Sequence, residues 1–401
     1  MNSETPIPPA VARHGQATLV ELSVTLAHAF DSPVGAAPLS AGFLGQDAAL
    51  DPARLRSASN VVLILLDGAG RAAIERHVGS GVIAAGRRAL LDSVFPSSTA
   101  PAITSLVSGL APTVHGNSGW FLWSETHGRV LRSLPMDWRA SHGEPVSDWR
   151  WSWQGWFGSP GLDSVAIQPV EIHDSAFSRH AFAGARLLGY RDLDDFVLQT
   201  VTAARERERG RRLIYAYAPH FDACCHDHGW QSDAAGACLR ALDRAVDDVL
   251  AGLEGSDTVV LVTADHGFCD VAPERQFDIA QFPGLADHLR APLTGEPRVA
   301  FCHLKPGHEA DFIALATREL RDIADVHRSR DLLTAGWFGM PAQARMAGAF
   351  GDVCLLMREC TAIGDRLPGE RAHRMVGMHG GYSAEEMEIA LAVYDLAAAS
   401  R

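Results

Sequence analysis

The chain has 401 residues, 47% of them hydrophobic, and a formal net charge of −13. That balance describes a folded globular chain of one large or two ordinary domains and excludes a disordered or fibrous one. The acidic charge argues against a nucleic-acid coat or an anionic-membrane binder, and leaves room for a small anionic substrate held locally by metal.

Residues 1–55 mix Pro and Ala and read as a peripheral arm with a helix near 17–29. The apolar stretch ATLVELSVTLAHAF (17–30) contains Glu21 and follows no Lys/Arg cluster, so it does not read as a signal peptide. NVVLILLDGAG (60–70) is a β-branched apolar run ending in Asp and Gly. It predicts a strand buried on both faces, followed by a turn, and its apolar core is far too short to cross a bilayer. RRLIYAYAP (211–219) and DTVVLVTADHG (257–267) repeat that grammar. Amphipathic helices are predicted over 192–208 and 233–255, the second with Gly255 where a C-cap belongs. Strands alternating with helices imply an α/β fold: a mostly parallel central sheet with helices on both faces.

Two segments break the pattern. Residues 117–160 hold seven of the nine tryptophans and no clean period, so they read as a Trp-rich cap or loop insertion beside the sheet's C-terminal edge. Residues 271–370 are weakly patterned and read as a second insertion within a single 1–401 domain. Buried cap core is the plainer reading of the tryptophans; a stacking cradle for a base, sugar or quaternary ammonium group is the other. The seven scattered cysteines form no CxxC pair and fit a reducing compartment, and the chain is read as cytoplasmic. Nothing in the sequence signals an oligomeric state.

In an open α/β sheet, ligands sit outside the carboxyl ends of the strands. Asp67 ends the first strong strand, Asp222 follows the second, and Asp265 and His266 end the third. Asp222 and His226 share one face if HFDACCHDHG begins a helix. Such a helix would point Cys224 and Cys225 away, as buried structural thiols. Asp265 and His266 converge only if the strand has ended and turned, which Gly267 permits. Carboxylate plus imidazole without thiolate suits zinc, with manganese as the harder alternative. A ligating His usually donates its other N–H to an outer partner, and Asp227 or Asp270 could fill that role. His115, His220 and His228 are read as solvent or supporting histidines.

FPSSTAPAITSLVSG (95–109) places Ser97, Ser98 and Thr99 at the start of an apolar helical pattern stopped by Gly109. Free N–H groups and the helix dipole favour an anion there. A hydroxyl at that point can simply cap the helix, or, beside a metal, become a nucleophile.

With LLDGAG, FPSSTAPAITSLVSGLAPTVHG, DACCH, TADHG and GMHGGYSAEEM in this order across residues 61–387, the chain resembles the alkaline phosphatase superfamily, in its type I phosphodiesterase/nucleotide pyrophosphatase branch. The resemblance implies an alkaline phosphatase-like fold and hydrolysis of a small-molecule phosphate ester, diesters ahead of monoesters; the acidic charge and short apolar runs already argue against a nucleic-acid polymer or a membrane as partner. It implies two divalent metal ions. One would be held by Asp222, His226 and His379, the other by Asp67, Asp265, His266 and the Thr99 oxygen. Thr99 would be the nucleophile, forming a phospho-threonine that water then hydrolyses. An asparagine that helps hold a phosphoryl oxygen in the nucleotide pyrophosphatases aligns here with Trp120, while Asn117 lies near but out of register. Asn117, Trp120 and Trp123 are the candidate substrate contacts. The sulfatase-type CxPxR segment is missing. The alternatives are a phosphomonoesterase, for which Arg139, Arg150 or Arg374 could hold the extra charge, a phosphonate hydrolase, a phospho-group transferase, or a non-catalytic metal-binding protein.

Overall fold

The apolar run Asn60–Leu66 forms the middle strand of a seven-stranded sheet, with Val61 to Leu66 all buried. A computed structural model of the chain describes residues 17–32, 34, 50–141, 143–206, 210–340, 348–370 and 374–397. The sheet order is Arg87–Asp92, Glu388–Asp395, Thr258–Thr263, Asn60–Leu66, Arg212–Ala218, Asp163–Pro169, Arg186–Tyr190. The last five strands in this order run parallel, and Glu388–Asp395 is antiparallel to both of its neighbours. Register pairs Leu66 with Ala218 and Leu65 with Thr263, so three neighbouring strands end side by side. This is the expected α/β architecture, with helices packed on both faces. Among the described residues no helix is long and apolar enough to cross a membrane.

The helix expected near 17–29 runs Leu19–Ala29 and is capped by Thr18 with Glu21 reaching back. It is not peripheral, contrary to the sequence reading. Nine of its eleven residues are buried, and Ser23 Oγ donates to Leu106 O at 2.6 Å on the helix that begins with Thr99. Its polar residues mislead because Ser23 and Thr25 satisfy backbone carbonyls inside the protein. The rest of the arm, 1–16 and 35–49, and residues 207–208 at the end of the 192–208 helix lie outside the described residues. That helix is described over Leu193–Arg205, and the next over Asp233–Leu253, with Gly255 at φ +72° just beyond.

Segments 117–160 and 271–370 meet in one antiparallel sheet. Its order is Ala324–Arg328, Val353–Met357, Val299–Cys302, Thr294–Glu296, Phe121–Ser124, Arg129–Arg132, Asp137–Trp138. Val299 and Phe301 face one apolar cluster, with Phe95, Phe338 and Phe350, while Ala300 and Cys302 face another, with Phe312 and Leu320. Both faces are therefore covered, which is why these strands show no polar alternation. Of the tryptophans, Trp153 and Trp156 join the central core and Trp138 packs with Leu122, Leu131 and Val146.

Candidate active site

Asp67 directly follows its strand, and its backbone N–H extends the ladder to Ala218 O at 3.0 Å. Asp222 and His226 lie four residues apart on the helix His220–His228, with Asp222 Oδ1 3.4 Å from His226 Nε2. His379 Nε2 is 3.7 Å from the same oxygen. Asp265 and His266 converge as a broken strand would allow. Asp265 Oδ1 accepts from Gly68 N–H at 2.9 Å and His266 N–H at 3.0 Å, while its Oδ2 lies 3.6 Å from His266 Nε2. Gly267 is required here, because a Cβ on it would sit 2.0 Å from Glu385 O.

Five of these six side chains form two touching groups, and Asp265, expected in the second, lies beside them against His266. Asp222, His226 and His379 bring ligand atoms within 4.8 Å of one another, and so do Asp67, Asp222 and His266. Asp222 thus belongs to both. Buried Asp222 Oδ1 and Asp265 Oδ2 have no hydrogen-bond partner. Such orphaned atoms are rare in a folded interior, and a divalent cation satisfies them. Electrostatics points the same way. Burial raises the Asp222 carboxyl, and burial with the neighbouring Asp67 charge raises Asp265. Burial and the nearby His266 and His226 hold His379 far below its usual range, so it is neutral and able to ligate. The donor set fits a metal ion.

The imidazoles are oriented by backbone. His226 Nδ1–H donates to Gly377 O at 2.8 Å, and His266 Nδ1–H to Gly267 O at 3.0 Å. Each bond leaves an Nε2 lone pair aimed into the cluster. The outer partner of His226 is therefore a carbonyl, and neither Asp227 nor Asp270. Asp227 is exposed, and Asp270 accepts from Trp230 and Gln231 N–H instead.

The hydroxyl triplet begins the helix Thr99–Ser108, which Gly109 stops at φ +69°. None of the three hydroxyls caps it. Ser97 Oγ donates to Gly381 O at 2.6 Å, and Ser98 Oγ donates to Glu296. Thr99 Oγ1 lies 3.0 Å from His266 Nε2 and 3.4 Å from Asp67 Oδ1. Tyr217 OH holds the other Asp67 oxygen.

The candidate substrate contacts sit farther out. Asn117 is fully buried behind this helix, where its Nδ2 donates to Ala100 O and Thr104 Oγ1. Trp120 is half-buried and its N–H donates to Glu296 Oε1 at 2.7 Å. Trp123 packs against His303 and beneath Arg290 in the antiparallel sheet. His115 is buried against Ser105 and the Asn117 N–H, His220 stacks on Tyr190, and His228 is exposed. Cys225 is buried, whereas Cys224 is half-buried and hydrogen-bonded to Cys238.

Two residues escaped the sequence reading. Glu296 is buried against Ser98 and Trp120, and burial pushes its carboxyl up to about 7. Arg298 forms a buried pair with Glu386 at 2.8 and 3.0 Å, and Glu386 in turn accepts from Gly381 N–H and gives its carbonyl to Gly267 N–H. Both lie in GEPRVAF, where no local pattern marks them.

The family model for type I phosphodiesterase / nucleotide pyrophosphatase matches residues 61–382. Among solved structures, murine ectonucleotide pyrophosphatase/phosphodiesterase 5 superposes with a TM-score of 0.64 at 17% identity, over 83% of this chain and 87% of that one. An inactive threonine-to-alanine form of the murine protein in complex with AMP gives 0.63 at 17% identity, over the same shares. Phosphonoacetate hydrolase from Sinorhizobium meliloti 1021 in complex with phosphonoacetate gives 0.58 at 17% identity, over 83% and 89%. No curated protein sequence matches the chain.

Proposed function

Because the chain belongs to the type I phosphodiesterase / nucleotide pyrophosphatase family and is a phosphoric ester hydrolase of that kind, we propose that it hydrolyses small phosphodiesters with Thr99 as nucleophile beside two divalent cations, zinc by donor type. The observation that carries this reading is the Thr99 hydroxyl on His266 Nε2 and Asp67, at a helix start and against two groups of potential ligands that share the unpartnered Asp222 Oδ1. Asp222, His226 and His379 would hold one cation, and Asp67, Asp265 and His266 the other, with Asp222 within reach of both. When bound, the cations supply charge neutralisation for the phosphoryl group and lower the cost of forming the attacking alkoxide.

The chain's own residues do the rest. The start of the Thr99–Ser108 helix presents free N–H groups and a positive dipole end to the phosphoryl oxygens. Asp67, anchored by Tyr217, and His266, anchored by Gly267 O, hold the Thr99 hydroxyl in position, and Asp67 Oδ1 is the oxygen that would receive its proton. In-line attack by Thr99 Oγ1 on phosphorus would expel the alcohol and leave a phospho-threonine, which water hydrolyses to free phosphate monoester and Thr99.

A preference for diesters is supported by the fate of the arginines. Arg139 is bound by Asp365 and Glu370, Arg150 donates to backbone carbonyls at the surface, and Arg374 is exposed. Hydrolysis of bis-p-nitrophenyl phosphate against p-nitrophenyl phosphate by zinc-loaded protein tests the reading. The diester should turn over faster, and inertness towards both esters would overturn it.

A further inference from the structure

Glu296 is a buried carboxylate that takes part in no ion pair among the described residues. The other buried charges of the antiparallel sheet are matched, Arg298 by Glu386 and Arg139 by Asp365 and Glu370. An unmatched buried charge is costly, so a protein that carries one beside its site uses it or neutralises it there. Glu296 Oε1 accepts from Ser98 Oγ, one residue before Thr99, and from Trp120 N–H. Its stem lies against the turn after His379, since a Cβ built on Gly380 would be 2.6 Å from Glu296 Cβ. The side chain is therefore wedged between the Thr99 helix start and the His379 loop.

We propose that Glu296 determines the charge selectivity of the site: its carboxylate, fixed on Ser98 and Trp120 at the start of the Thr99 helix, repels a phosphoryl group bearing two negative charges more than the single charge of a diester. This rests on the phosphoric ester reading above. A phosphate monoester is largely dianionic above its second pKa of about 6, whereas a diester keeps one charge. Like charges a few ångströms apart in a partly dry site disfavour the second charge, while alkylated oxygens carry none to repel. The two hydrogen bonds need only an acceptor and are independent of the charge.

The test uses metal-loaded full-length protein at pH 8.5 and reads binding as well as turnover. Glu296→Gln keeps the acceptor for Ser98 and Trp120 and removes the charge; Glu296→Ser also removes it, and Glu296→Asp retains it. By calorimetry, inorganic phosphate should bind E296Q and E296S about tenfold tighter than wild type, with diethyl phosphate tightened by only about threefold and E296D resembling wild type. The ratio of p-nitrophenyl phosphate to bis-p-nitrophenyl phosphate kcat/KM should rise by about threefold. Phosphate affinity that is the same in charged and neutral variants, or variants that group by side-chain size, would overturn the assignment. Tighter phosphate binding in a protein that hydrolyses neither ester would leave Glu296 as the charge filter and overturn the hydrolase reading instead.

Discussion

The Thr99 hydroxyl stands 3.0 Å from His266 Nε2, the face of that ring left free because Nδ1–H is engaged by Gly267 O. A threonine at the first position of a helix has no need of an imidazole partner for capping, and this one makes no cap bond. The contact gives the hydroxyl a fixed direction beside a candidate metal ligand.

Thr99→Ala should lower turnover of bis-p-nitrophenyl phosphate by at least about 10³-fold while metal content stays within error of wild type. Steady-state kinetics with parallel elemental analysis decides it. Substantial residual activity would remove Thr99 from the reaction.

The shared position of Asp222 separates two metal-site variants. His379→Ala removes a ligand from one group only and should lose one metal equivalent, whereas Asp222→Ala touches both groups and should lose more. Chelation should abolish turnover and lower Tm, because the ions bind the folded chain. Equal stoichiometry in H379A and wild type would refute the grouping.

Arg298 and Glu386 tie the antiparallel sheet to the loops that carry His266 and His379. Removing one member leaves the other charge buried and unpaired. Arg298→Met should therefore cost about 3–5 kcal/mol in denaturant unfolding, and replacing both with apolar residues should recover part of the loss. A cost of under about 1 kcal/mol would mean that the pair is solvated.

Burial lowers His115 to about 3, with Ser105 and the Asn117 N–H as its ring partners. An unfolded His titrates near 6.5, so between roughly pH 6.5 and 3 the unfolded chain holds a proton that the folded one refuses. Stability from this residue is full above that window and falls as pH drops through it, by about 1.4 kcal/mol per pH unit. Unfolding of wild type and His115→Gln at pH 7 and pH 5 should show a shallower loss in the variant. Parallel losses would show that His115 protonates in the folded state.

The sequence by itself determined the parallel core and the residues at its rim. Asn60–Leu66, Arg212–Ala218 and Thr258–Thr263 are continuous apolar runs because both faces of a parallel sheet are covered, and each hands a carboxylate to the same edge. The neighbours of Asp67, Asp222, His226, Asp265 and His266 in the chain are also their neighbours in space, so short motifs carry them. Only the tertiary structure decided what surrounds them. Glu296 reaches Ser98 across 198 residues, and Phe121 meets Gly295 in a sheet shared by two distant segments. Pairing of that kind is set by long-range hydrogen bonds and leaves no local period. The acceptors for His226 and Ser97 are the carbonyls of Gly377 and Gly381, and a carbonyl, present in every residue, has no letter in the sequence to announce it.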